Sequence, residues 1–223
     1  MVIAADSPHR AAPQNLDLEN GETLSAAEFV RRYERSPQIA KAQLIEGRVF
    51  MPSPVRADYH GQPDNLLQTW LGTYAAHTRD VVAFTNTTLA LDGDNVPQPD
   101  AMLCFTPEAG GRAHVGEDGY VHGSPELVVE IAGTSASVDL NDKLRAYRRN
   151  GVAEYLVWLT RENRVIWFVL ENGEFQPLAP DSRGVLASRR FPGLSLDIAA
   201  LLARDGATVL ARLQEALAHH NRA

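Results

Sequence analysis

Two runs of sequence decide the fold: Gln98-Pro99-Asp100-Ala101-Met102-Leu103-Cys104-Phe105 and, after a glycine-rich connector, Ser124-Pro125-Glu126-Leu127-Val128-Val129-Glu130-Ile131. Each holds an apolar stretch short enough to be a buried strand. The first carries an acid at its start, Asp100, and the second an acid at its end, Glu130. A carboxylate at the end of a core strand is costly unless something pairs with it. The pattern 139–150 that follows reads as a helix closed by Gly151. On it Asp139, Lys143 and Tyr147 share a face at four-residue spacing. The run 154–159 is a further strand. Strand, helix and strand in this order make a crossover that sets the two strands parallel. Asp100 and Glu130 then converge at one edge of the sheet, with Lys143 supplied from the helix.

Working outward, residues 1–22 have no sustained period and are expected to be a flexible arm. Ser25-Ala26-Ala27-Glu28 is a capping-box pattern opening a helix. Leu44-Ile45-Glu46-Gly47-Arg48-Val49-Phe50 reads as a hairpin pinched at Gly47, with Glu46 at the turn. The stretch 60–76 has helical apolar spacing and His60 near its first turn. The segment 81–91 is rich in β-branched residues and reads as one strand, followed by a turn at Asp92-Gly93-Asp94-Asn95. Residues 106–123, with five glycines, are expected to be a mobile surface loop. An antiparallel meander covers 164–170, 174–178 and a short piece near Leu186, turning at Asn172-Gly173. Helical patterns at 196–202 and 207–219 end the chain. No internal repeat is present, so residues 23–223 are expected to form a single domain.

The composition is that of a globular protein, with 44% hydrophobic and 22% charged residues, so the chain can bury a core without staples. The single cysteine, Cys104, rules out a disulfide framework within the chain and points to a reducing, cytoplasmic setting. It lies inside an apolar run and reads as a core residue. The net charge of -7 argues against nonspecific coating of nucleic acid. It leaves room for a local basic patch around an acidic site. No apolar run approaches the roughly 18 residues of a membrane span, and no secretory leader pattern is expected at the N-terminus.

Two carboxylates at close range repel unless a cation sits between them. A hard divalent ion relieves the repulsion, takes oxygen ligands and activates water beside a phosphate. Lys143 would hold the attacking water or offset charge on phosphorus. No cysteine–histidine cluster suggests zinc, and no nucleotide-binding P-loop occurs. A pair of acids could also serve a glycosidase, though that would leave Lys143 without a task. The plainer reading is strand-end acids in solvent, a turn acid at Glu46, a capping or surface histidine at 60, and a solvated face at Arg145, Arg148 and Arg149. Gln98 could stand at the rim of the cleft, and Tyr147 reads as packing under the helix.

Pro99-Asp100, with Glu130 some thirty residues on, resembles the PD-(D/E)xK nuclease superfamily. More narrowly, the chain resembles the Uma-two family of restriction-endonuclease-like proteins. The matching pieces are Leu44-Ile45-Glu46-Gly47-Arg48-Val49-Phe50-Met51-Pro52-Ser53-Pro54, His60 opening a helix, Val96-Pro97-Gln98-Pro99-Asp100, Pro125 to Ile131, and Asp139 to Trp158. The resemblance implies an α/β fold bordering on α+β. Its restriction-endonuclease-like core is a central mixed sheet flanked by helices, here with the added meander. It implies a metal-dependent DNA endonuclease in which Asp100, Glu130 and Glu46 hold Mg²⁺ or Mn²⁺, Lys143 assists the water and His60 joins the site. The alternative is an inactive nuclease fold kept for interaction. A homodimer is expected, since cutting both strands of a duplex favours two sites. The lysine usual two residues after the second acid is Ala132 here, and Lys143 would substitute. Gly133-Thr134 replaces a usual Ser-Pro, and Ala153 a usual proline.

Overall fold

A computed structural model describes residues 17–52 and 55–220. The arm expected over 1–22 lies mostly outside the described residues. From Asp17 the chain can be followed, and Leu18 is buried beside Phe29, Leu44 and Val49. The backbone N–H groups of Gly21 and Val49 bond the carbonyls of Val49 and Glu22, so the end of the expected arm is docked. An apolar slot for Leu18 gives the physical reason.

Helix α1 (Ala26–Tyr33) starts where the capping pattern places it, with the Ser25 side chain accepting from the Glu28 N–H. The reciprocal half of the box does not form, because the Glu28 carboxylate instead accepts from Arg31 and Arg32. Strands β1 (Gln43–Ile45) and β2 (Arg48–Phe50) form the expected hairpin. Its turn residues Glu46 and Gly47 both have positive φ, 51° and 71°. That is the primed turn that suits strand twist.

A wide helical turn, Ala57–Gly61, leads into α2 (Gln62–Ala76). Strand β3 (Val81–Thr85) is shorter than the expected run 81–91. The chain swings out at Asn86, whose φ is 50°, and β4 (Leu89–Ala90) joins a different sheet. Strand β5 (Ala101–Phe105) follows. The expected mobile loop over 106–123 is instead a hairpin of β6 (Ala113–Val115) and β7 (Val121–Gly123), with β4 parallel to β7. Ala113 and Val121 are buried, and this apolar anchoring offsets the glycine-rich backbone around them.

Strand β8 (Leu127–Ala132) is buried along its whole length. A short α3 (Ala136–Val138), a second wide turn (Asp139–Lys143) and α4 (Leu144–Arg149) make the crossover to β9 (Glu154–Leu159), which is parallel to β8 as the crossover requires. Gly151, at φ 71°, terminates the helix. Strands β10 (Arg164–Glu171) and β11 (Glu174–Pro177) complete the meander. The six-stranded mixed sheet therefore runs β11-β10-β9-β8-β5-β3. The piece near Leu186 does not continue the meander: β12 (Val185–Ala187) pairs with β13 (Ser195–Asp197) in a separate ribbon. Helices α5 (Ile198–Leu202) and α6 (Gly206–His220) end the described chain. The expected helix over 196–202 thus begins only after β13, where Asp197 caps it through the Ala200 N–H.

Both sheet faces are covered. On one, Leu67, Trp70, Leu71 and Tyr74 of α2 pack with Val129, Ile131, Trp158 and Trp167, and α6 adds Val209 and Leu213. On the other, Tyr147, Tyr155, Val157 and Val128 pack with Met102, Leu89 and Val121. Alternation along β8 sends Leu127, Val129 and Ile131 to the α2 face, and therefore Glu130 to the α4 face. On β5, Ala101 faces α2, so Asp100 turns to the α4 side. Ala101 pairs with Val129, and one residue further the register sets Asp100 opposite Glu130.

Candidate active site

This register builds the site. Asp100 and Glu130 are each 3% exposed and lie in one cleft, and the Ile131 N–H donates to Asp100 Oδ2 at 2.7 Å. The second wide turn brings Lys143 to the same place: its Nζ is 2.9 Å from Glu130 Oε1 and 3.0 Å from Asp139 Oδ1. Wide turns of this kind are found often at functional sites. Here they carry Tyr59 and His60 on one side of the cleft and Asp139 and Lys143 on the other. Tyr147, one helical turn beyond Lys143, donates its hydroxyl to Glu130 Oε1 at 2.9 Å. Ser135 Oγ donates to Asp139 Oδ2 at 2.5 Å. His60 Nε2 lies 3.3 Å and Lys41 Nζ 3.5 Å from Asp100 Oδ1.

The electrostatics follow from these distances. Burial pushes the Glu130 carboxyl up, Lys143 opposes that, and the nearby charge of Asp100 raises it further, so it titrates at about 7. Burial would also push Asp100 up, but the His60 hydrogen bond and the Lys41 charge outweigh it and hold Asp100 below its ordinary value. The same hydrogen bond raises His60. Burial alone would lower Lys143, but Asp139 and Glu130 reverse the direction, and the ammonium stays charged. Lys143 is therefore held as a cation by its pairs with Glu130 and Asp139.

Four of the five expected site residues, Asp100, Glu130, Lys143 and His60, line this cleft. Glu46 does not. It sits at the tip of the β1–β2 turn, where its carboxylate accepts from Arg149 Nη2 at 2.7 Å and from Asn95. From the same hairpin Gln43, at the other end of β1, lines the cleft instead. Gln98 is 8% exposed and bonds Tyr33 and Thr88, which makes it a buried tie more than a rim residue. Tyr147 packs as expected but also grips the site acid. Arg145, Arg148 and Arg149 pair with Asp142, Glu174 and Glu46, a solvated face.

Sequence reasoning missed Lys41 and Asp139 as site residues. Asp139 left a signal, its spacing to Lys143 and Tyr147, whereas Lys41 left none. Among the described residues no group of three or more His, Cys, Asp or Glu side chains is arranged to hold a metal ion. Two mutually repelling buried carboxylates remain, and that donor set fits a hard divalent cation that uses one or two carboxylates and keeps several waters.

Fold and site together give a mixed α/β core with two acids and a lysine in one cleft. A family model described as "Putative restriction endonuclease", Uma2, matches residues 26–199, and the chain belongs to this family. A solved structure, "a putative nuclease belonging to DUF820 from Anabaena variabilis ATCC 29413", shares the fold with a TM-score of 0.60. It is 18% identical in sequence, and the match covers 81% of this chain and 98% of that one. No curated protein matches the chain.

Proposed function

We propose that this chain is a divalent-metal-dependent endonuclease that hydrolyses DNA phosphodiester bonds. The observation that carries this reading is the meeting of Asp100, Glu130 and the charged Lys143 in one cleft, from three separate elements. The carboxylates of Asp100 and Glu130 would hold Mg²⁺ or Mn²⁺. Such an ion polarises a phosphate oxygen and lowers the pKa of bound water. Lys143 Nζ, held by Asp139, offsets negative charge that develops on the phosphoryl oxygens. Its bond and that of Tyr147 both fall on Glu130 Oε1, which leaves Oε2 for the cation. His60 and Lys41 keep Asp100 ionised. Glu46 stands apart from these groups, so it has no assigned step. Plasmid nicking with Mg²⁺, wild type against Asp100→Ala, tests the reading, and equal activity in both would sink it.

A second reading, a nuclease fold kept for binding alone, is favoured by the small donor set and the neutral Gln43. Calorimetry separates the two, because Mn²⁺ binding that disappears in Glu130→Ala speaks against a dead site. A homodimer would bring two sites to the two strands, and light scattering would give the mass. The buried free thiol of Cys104 suits a reducing cytoplasm. No helix among the described residues is long and apolar enough to cross a membrane.

A further inference from the structure

The cleft is lined by two unlike sets of side chains: Asp100, Glu130, Asp139 and Lys143, and Phe50, Met51 and Tyr59. Its volume of about 420 Å³ lies within the range of sites that enclose a small ligand. At the mouth, the Arg161 guanidinium covers the Tyr59 ring, 5.2 Å from its centroid. This platform is fixed in place: Thr160 Oγ1 donates to the Tyr59 carbonyl at 2.7 Å. Gly133 runs alongside, and a Cβ there would sit 3.4 Å from that carbonyl. Arg56 and Arg161, both exposed and lining the cleft, make no ion pair among the described residues, whereas Arg145, Arg148 and Arg149 are all neutralised.

A phosphodiester brings negative charge, and a nucleobase brings a flat π surface. The guanidinium groups of Arg56 and Arg161 suit the first and the Tyr59 ring suits the second, since aromatic rings and arginine planes are the usual platforms for unpaired bases. A paired base hides its faces inside the duplex and cannot use such a platform. The phosphates of an intact duplex also lie on a stiff rod, while the two acids here are only 3% exposed. Resting on the nuclease reading and narrowing its substrate, we infer that the cleft takes an unpaired strand. The base next to the reacting phosphate stacks on the Tyr59 ring face that Arg161 does not cover, and Arg56 meets a flanking phosphate. The substrate class is then single-stranded DNA, or the frayed or flapped ends of a duplex.

Fluorescence anisotropy with a labelled thymidine 12-mer and with the same strand annealed to its complement tests this. The full chain is used at fixed salt, once in EDTA and once with Ca²⁺. The single strand is expected to bind at least about ten-fold tighter than the duplex. Tyr59→Ala is expected to lose about ten-fold in single-strand affinity, consistent with loss of one base stack, and Tyr59→Phe to keep it. Equal affinity for the two forms of DNA overturns the inference even if Tyr59→Ala fails to fold. So does a folded Tyr59→Ala with unchanged affinity. Duplex plasmid cleavage without single-strand preference removes this inference and leaves the nuclease reading standing. Selective single-strand binding without cleavage under Mg²⁺ or Mn²⁺ does the reverse.

Discussion

Glu130 and Glu154 lie on adjacent parallel strands, and both carboxylates are almost fully enclosed, at 3% and 0% exposure. Their surroundings differ. Glu154 accepts from Trp167 Nε1, Ser188 Oγ and the backbone N–H groups of Arg189 and Arg190. It is a knot that ties the turn before Phe191 to the sheet. Glu130 meets a lysine and a tyrosine hydroxyl, but the charges of Asp100 and Asp139 also press on it. Burial raises both acids. What separates them is that Glu154 is surrounded by donors, while Glu130 is held among other acids. Buried carboxylates surrounded by donors stabilise a fold; buried carboxylates facing one another store repulsion that a cation or a reacting group relieves.

Substitution can break this contrast. The largest effect is expected at the site itself: Asp100→Ala should lower Mg²⁺-dependent nicking on the order of a thousand-fold, read by gel, as loss of several kcal/mol of charge stabilisation implies. Next, Glu154→Ala should cost about 3–5 kcal/mol in denaturant unfolding, because several buried donors lose their acceptor together. That unfolding should be one cooperative step if residues 23–223 form a single domain. A comparable stability loss in Glu130→Gln would erase the distinction.

A third test concerns pH. Glu130 titrates near 7 in the folded chain against an ordinary 4.5, so the folded state holds its proton more tightly. The associated stability is fully present below about 4.5 and is lost as pH rises through about 7. In EDTA, Glu130→Gln should flatten the stability profile across that window, and an unchanged slope would contradict the crowding of acids. Burial pushes the Cys104 thiol up to about 12. Native protein at pH 8 should therefore react with a disulfide reagent only as fast as it unfolds. The smallest effect is expected at Glu46. Glu46→Gln breaks a surface ion pair with Arg149, so stability should change by less than about 1 kcal/mol and nicking by less than about two-fold. A large loss of nicking would return Glu46 to the site.

The parts legible in the sequence were those with local causes. Apolar runs of strand length, the Ser25 cap, the Glu46-Gly47 turn and the Gly151 stop each act within a few residues. The order strand, helix, strand likewise placed Glu130 and Lys143 near each other. Glycine content suggested a loose connector over 106–123, but Ala113 and Val121 find a distant apolar surface and order it as a hairpin. The run 81–91 is uniformly β-forming, yet it divides at Asn86 because its two halves belong to different sheets.

By itself, then, the sequence determined the strand–helix–strand core and the pair of acids that meets beside it, though on the inner strands β5 and β8 and not at a sheet edge, since hydrophobic period and chain connectivity are one-dimensional properties. Only the tertiary structure decided which hairpin residue reaches the cleft, Gln43 and not Glu46, and that Lys41 and Asp139 join it. Lys41 is 59 positions from Asp100, and no local pattern encodes a salt bridge between side chains that meet only when the β1–β2 hairpin docks against the sheet.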